Sequence, residues 1–102
     1  MDRKIVWSPE ALADLVEIRG FIARDSESYA ASLIERLLVA VDRLPDFPQY
    51  GRRVPELDQE AIREIIVDRY RVIYRLNTHS IDLAAIVHGA RDLSTALSTR
   101  LH

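Results

Sequence analysis

The stretch AIREIIVDRYRVIYRLNTHSIDLAAIVHGAR, from Ala61 to Arg91, decides the fold, because it predicts three β-strands in succession. Ile62–Val67 and Tyr70–Leu76 are rich in β-branched and aromatic residues, and only two residues separate them, which is the length of a tight hairpin loop. A polar break of four residues then precedes a third apolar run, Ile81–His88. The sequence therefore predicts an antiparallel meander.

Side-chain alternation predicts two different faces for this meander, because successive residues of a strand point to opposite sides of the sheet. In the middle strand, Val72 and Tyr74 lie on one side, while Arg71 and Arg75 lie on the other. One face should therefore be apolar and the other should carry guanidinium groups. The mixed pattern of the first strand predicts that parts of both faces are covered.

Two helices are predicted before the meander, after a short β-type run at Arg3–Trp7. Ser8–Glu10 supplies an N-cap serine, a proline for the first helical position and an acid for the first turn. Apolar residues recur at helical spacing from Glu10 to Arg24, and again after the cap-forming run Asp25–Ser28. The short break between the helices predicts an antiparallel helical hairpin.

The resulting order is strand, helix, helix, strand, strand, strand. We expect an α+β fold in which the helical hairpin packs on one face of a small, mainly antiparallel sheet of four strands, with residues 1–102 forming a single domain. A proline-rich connection, Pro45–Leu57, should cross the surface, with Phe47 and Tyr50 pinning it to the edge of the core. After the meander, Leu93 and Leu97 have helical spacing, so the tail should form one or two turns whose apolar face needs a partner.

Composition excludes several classes of function. The chain has 102 residues, a formal net charge of −2 and a pI near 5.9, so it has no overall attraction for nucleic acid. The absence of cysteine excludes disulfides and thiolate metal sites, and the three histidines are too widely spaced to predict a metal or a cofactor. No apolar run is long enough to span a bilayer, so we expect a cytoplasmic protein with no membrane contact.

The candidate site is a set of cations on the meander that should converge on one concave sheet face: Arg63, Arg71, Arg75, His88 and Arg91. Such a cluster binds carboxylates of a partner chain or phosphates of RNA, and the sequence leaves both open. The alternative is a solvated outer face whose charges form salt bridges, and composition alone favours it.

In this order of elements, the chain resembles the ParE/RelE superfamily of type II toxins. The resemblance covers nearly the whole chain and is carried by Trp7–Ala11 with Asp14, Leu15 and Ile18; by Pro48–Arg52 before Val54–Leu57; by Ile62–Glu64; by Tyr70–Arg75; and by His88–Asp92. RelE-like members cleave messenger RNA on the ribosome, with basic residues on the sheet and usually a tyrosine, or a histidine–tyrosine pair, near the C-terminus. This tail has no tyrosine, since the last one is Tyr74.

The ending His88–Arg91 is similar to that of the ParE branch, whose members poison DNA gyrase and lack the nuclease residues. The resemblance thus implies a toxin of a plasmid-stabilising toxin–antitoxin system that inhibits growth through gyrase and is not an enzyme. Two alternatives stay open: a RelE-like ribosome-dependent mRNA endonuclease, and an inactive homologue that only binds its antitoxin. In each case we expect an antitoxin segment with apolar and carboxylate side chains to cover Leu93, Leu97 and the arginine face.

Overall fold

The predicted meander forms the centre of a five-stranded sheet. The computed structural model describes residues 3–91, 93, 97, 100 and 101. Its elements are β1 Lys4–Trp7, α1 Pro9–Ala23, α2 Glu27–Asp42, β2 Arg52–Arg53, β3 Ile62–Val67, β4 Tyr70–Leu76 and β5 Ser80–His88. The strand order is β1-β5-β4-β3-β2, with β1 parallel to β5 and the other pairs antiparallel. The α+β class is confirmed.

The expected count of four strands is wrong by one, because β2 was not predicted. This strand has two residues, Arg52 and Arg53, which pair with Glu64 and Arg63 at the edge of β3. Two residues carry no readable alternation, so the sequence gives no periodic signal for the strand. Only its pairing with β3 defines it.

Local sequence accounts for where the helices begin. The Ser8 side chain accepts a hydrogen bond from the Ala11 N–H at 3.0 Å, and Pro9 follows at the first helical position. In the same way, the Ser26 hydroxyl accepts from the Tyr29 N–H at 3.1 Å. Each serine satisfies one of the amide groups that the first helical turn leaves without a partner.

The helical hairpin buries its apolar side against one face of the sheet. The buried members of this core are Ala11, Leu33, Leu37, Val41, Leu44, Ile65, Val72, Tyr74, Ile81, Leu83 and Ile86. Leu15, which has core spacing, is half-buried against this cluster. Leu12 and Leu38 share the helical spacing of the apolar residues but are exposed, because the stripe that reaches the sheet is narrower than the sequence pattern.

A second core covers the opposite face, which we call the tail face. It consists of Val54, Ile62, Ile73, Ala84, Ala85, Val87, Leu93 and Leu97. Leu93 and Leu97, from the tail, are fully buried in it. The apolar side of the tail therefore packs on the protein's own sheet.

The proline-rich connection is held in place by polar contacts, and the expectation that Phe47 and Tyr50 pin it is wrong, since both are exposed. The buried Tyr74 hydroxyl donates to the Pro48 carbonyl at 2.9 Å and accepts from the Gly51 N–H at 3.1 Å. A Cβ at Gly51 would lie 2.6 Å from the Glu64 carbonyl oxygen, so only glycine permits this approach. Burial raises the pKa of Tyr74, which keeps the hydroxyl protonated as a donor.

A bilayer-spanning helix is not found among the residues that the structure describes.

Candidate functional site

The strand register places the predicted cations on two faces of the sheet, so their expected convergence is wrong. Arg63 pairs with Tyr74, and His88 pairs with Tyr70. Residues directly opposite in a ladder point to the same side, and both tyrosines pack on the helix side. The remaining two strand cations point to the tail face: Arg71 and Arg75. Period-two alternation shows which residues of one strand share a face. It does not show which residues of neighbouring strands share a face, so the sequence alone predicted the wrong grouping of these cations.

Arg71 is the centre of a buried ionic network on the tail face. Its Nη1 and Nη2 donate to the two carboxylate oxygens of Glu56 at 2.8 and 2.7 Å, and its Nε donates to Glu64 at 2.7 Å. Glu64 is 1% exposed, and its second oxygen accepts from Arg52 Nε at 2.7 Å. Two guanidinium groups and two carboxylates thus neutralise one another.

The hydrogen bonds within this network alter its ionisation. The Arg71 guanidinium holds the pKa of Glu56 down at about 2, against the opposing effect of partial burial. The same contact with Glu56 raises the pKa of Arg71. The nearby Leu93 backbone N–H also contributes to lowering the pKa of Glu56.

The end of the tail is fastened by two more arginines. Arg75 Nη2 donates to the Leu101 carbonyl at 2.7 Å. Arg100 Nη1 donates to Asp14 at 2.7 Å and to the Ala84 carbonyl at 3.2 Å, and the hydrogen bond with Asp14 raises the pKa of Arg100. Asp14 also accepts the Ile86 N–H at 3.0 Å. The contact between Asp14 and Arg100 could not be predicted from the sequence, because 86 positions separate the two residues.

Arg63 supports the connecting loop on the helix side. Its Nη1 donates to the Gly51 carbonyl at 2.9 Å, and its Nη2 lies 3.6 Å from Glu60. Among the described residues, no group accepts a hydrogen bond from its buried Nε. Arg63 therefore stabilises the Pro48–Gly51 turn and does not lie on the tail face.

His88 and Arg91 lie in an open depression that we call the end cleft. It runs between the second half of α1 and the ends of β4 and β5, has a volume of about 560 Å³, and is lined by Asp14, Glu17, Ile18, Gly20, Phe21, Arg24, Tyr70, Ile86, Val87, His88 and Arg91. A second hollow of about 430 Å³ continues it around the β3–β4 turn toward Tyr29, Asp68 and Arg69, sharing Phe21, Tyr70 and His88.

The floor of the end cleft is aromatic. The rings of Tyr70 and His88 meet edge to face with their centroids 5.8 Å apart, and His88 Nδ1 accepts the Ala90 N–H at 3.2 Å. Burial raises the pKa of Tyr70. At its rim, Asp68 adopts a left-handed φ of 58° and accepts hydrogen bonds from Tyr29 and Arg36, which lower its pKa.

Within the described part of the chain, no three His, Cys, Asp or Glu side chains come close enough together to hold a metal ion. Tight binding of a divalent ion by protein side chains takes several such donors around one point. The polar chemistry of the described site is therefore that of arginines, carboxylates and one exposed imidazole.

The sequence was compared with models of protein families and with known proteins. Residues 5–93 match the family model described as the ParE toxin of type II toxin–antitoxin system, parDE. The chain is 34% identical over 89 residues to Toxin RelE2 of Caulobacter vibrioides, an alignment that covers 86% of this chain and 97% of that protein.

Two solved structures share the fold. A chain of the chromosomal ParDE toxin–antitoxin system from P. aeruginosa matches with a TM-score of 0.69 at 17% identity, over 84% of this chain and 95% of that chain. A free-state, doubly arginine-to-alanine mutant of E. coli toxin RelE matches with a TM-score of 0.69 at 12% identity, over 99% of this chain and 96% of that chain. Taken with the family match over residues 5–93, these findings show that the chain belongs to the ParE toxin family, within the ParE/RelE superfamily of type II toxins.

Proposed function

We propose that this toxin inhibits DNA gyrase and leaves messenger RNA intact, and that a cognate antitoxin neutralises it. The observation that carries the proposal is the state of Arg71, the central cation of the tail face. It is 5% exposed and already hydrogen-bonded to Glu56 and Glu64. A phosphate could reach it only by displacing a carboxylate, and the displaced Glu64 would stay buried with one cation fewer.

Acid–base chemistry supports the same proposal. RNA cleavage needs a base and an acid within hydrogen-bonding reach of the reacting groups, and such a pair is typically worth about a hundred- to ten-thousandfold in rate. The tail contains no tyrosine. His88 lies on the helix side of the sheet, in the end cleft, and thus on the face opposite Arg71 and Arg75.

A RelE-like, ribosome-dependent mRNA endonuclease is the second candidate. The observation that favours it is the 34% identity to a Caulobacter vibrioides protein named as a RelE toxin. In that case His88 would act alone as the acid, because an imidazolium can donate a proton to a leaving group.

The test adds the purified toxin separately to a gyrase supercoiling reaction and to translating ribosomes with a defined message. We expect loss of supercoiling, an uncut message, and recovery of supercoiling when the antitoxin is added. Arg91→Ala should weaken the inhibition, while Arg43→Ala, an exposed arginine at the end of α2, is the matched control.

Codon-dependent cleavage of the message in the ribosomal A site, abolished by His88→Ala while gyrase works normally, would overturn the proposal in favour of the nuclease. A toxin that affects neither reaction but still binds its antitoxin would identify an inactive homologue.

A further inference from the structure

The end cleft exposes an aromatic side chain at its centre. Phe21 is 63% exposed and stands between the two hollows, beside the partly buried Tyr70. Tyr29, on the far side of the second hollow, is also exposed. A contiguous aromatic surface with concave walls is typical of a surface that another molecule covers.

The charges around this aromatic centre are mostly uncompensated cations. Arg24 and Arg69 are exposed and make no ion pair with any described residue, and Arg91 is exposed at the other wall. Of the carboxylates that line the two hollows, Asp14 is paired with Arg100 and Asp68 with Arg36. Glu17 is the remaining one. The cleft is therefore locally positive on a chain whose net charge is −2.

The tail face also has an opening, of about 550 Å³ beside Arg75 and Arg100, but both of these cations are already bonded within the protein. Arg71 is neutralised by Glu56 and Glu64, and Arg75 is bonded to the Leu101 carbonyl. The tail residues Leu93 and Leu97 are buried. A partner with apolar and carboxylate side chains would have to break these contacts before it made its own, whereas the end cleft needs no such displacement.

We propose that the end cleft is the anchoring site of the antitoxin, and that it takes a segment with an apolar or aromatic side chain flanked by carboxylates. The anchor would pack on Phe21 and Tyr70, and the carboxylates would pair with Arg24, Arg69 and Arg91. This inference deepens the proposed function, because it takes the antitoxin as the partner. It also explains neutralisation, since a segment bound here covers His88 and Arg91.

Single-stranded nucleic acid is a poorer fit to the same surface. It needs a positively charged groove that follows several phosphates, with aromatic side chains on which successive bases stack. Here Glu17 interrupts the wall of the cleft, and the chain as a whole is acidic. A protein segment needs only two or three well-placed carboxylates.

Binding of purified full-length toxin to its cognate antitoxin, measured by calorimetry, tests the proposal. Phe21→Ala should weaken binding on the order of tenfold to a hundredfold, as expected for an aromatic anchor. Arg24→Glu should weaken it roughly tenfold and reduce its dependence on salt. Arg43→Glu, the same charge reversal at an exposed arginine outside the cleft, should bind like the wild type. Thermal melts should be unchanged by all three substitutions, because the side chains are exposed.

Hydrogen exchange on the free and bound toxin locates the contact directly. We expect added protection at the β3–β4 turn and at residues 86–91. Unchanged affinity of Phe21→Ala and Arg24→Glu, or protection confined to the tail at residues 93–101, would overturn the proposal. Labelled oligothymidylate is the nucleic-acid probe, and its tight binding, lost in the two cleft variants while antitoxin affinity stays unchanged, would also overturn it. These results do not depend on the supercoiling reaction, so the gyrase proposal and this one can fail separately.

Discussion

The tail face and the end cleft both carry arginines, but the fold leaves them in opposite electrostatic states. On the tail face, Arg71 is buried between two carboxylates, one of which, Glu64, is itself buried. In the end cleft, Arg24 is exposed and has no ion-pair partner among the described residues. The difference teaches that an arginine cluster on a strand is as easily an internal support as a binding site. The deciding factor is whether the fold brings a carboxylate to it.

Removing the buried cation should have the largest effect on stability. Arg71→Ala leaves Glu64 buried with only the exposed Arg52 beside it, so we expect a loss of about 3 to 5 kcal/mol in the free energy of unfolding. Arg91→Ala, in the end cleft, should change it by no more than about 0.5 kcal/mol. Urea denaturation of both variants measures the contrast. If both variants lose the same small amount of stability, Arg71 on the tail face is no more important to the fold than Arg91 in the end cleft.

The next effect concerns the docking of the tail. Leu97 is buried, so Leu97→Ala should cost about 2 to 3 kcal/mol, in the lower part of the usual range because an end of the chain can settle into the cavity. Val16→Ala on the exposed side of α1 is the control and should cost about 0.5 kcal/mol or less. A Leu97→Ala loss as small as the control's would show that the tail leaves its face in solution, and the tail face would then be open to partners as well.

The smallest effect is a pH dependence at Glu56. Its pKa falls from 4.5 to about 2 on folding, so the charged carboxylate contributes stability that is present above pH 4.5 and is lost as the pH falls toward 2. Near neutral pH, the free energy of unfolding of the wild type should exceed that of Glu56→Gln by on the order of 1 kcal/mol. The difference is no larger because the Glu56 side chain is 25% exposed, so solvent screens its charge. Denaturation of both proteins across this pH range should show the difference shrinking.

The control for this pH dependence is Asp58→Asn. Asp58 pairs with Arg53, but its side chain is 97% exposed, so water screens the pair. No pH-dependent difference from the wild type is expected in this variant. If the difference in free energy of unfolding between the wild type and Glu56→Gln stays the same at pH 2, the Glu56 side chain acts through its shape and hydrogen bonds, and its charge is unimportant.

Much of the fold could be predicted from local patterns. The strands Ile62–Val67 and Tyr70–Leu76 lie where the β-branched and aromatic runs predict them, and Ser8 caps the first helix as its position before Pro9 predicts. These features depend on residues within a few positions of one another. The parallel pairing of β1 with β5 joins strands from the two ends of the chain, and no local pattern predicts it.

The candidate site could be predicted only in its residue types. Sequence reasoning selected Arg71 and Arg75 correctly as neighbours on one face, because period-two alternation holds within a strand. It placed Arg63 and His88 with them wrongly, because the relation between strands depends on register. It did not mark Phe21 or Arg24 as site residues. In the sequence, an exposed aromatic residue on an amphipathic helix looks like the buried apolar residues, and only the packing shows which stripe is buried.

The sequence by itself determined the order of the elements other than β2, the helix starts and the membership in a toxin family, because these depend on propensities and motifs that act over short separations. The tertiary structure alone decided which charges are satisfied. Glu56 meets Arg71 across 15 positions, and Asp14 meets Arg100 across 86, so both pairs exist only after the chain has folded. A buried arginine with two carboxylates and an exposed arginine with none have the same letter in the sequence, and only their surroundings distinguish a support from a binding group.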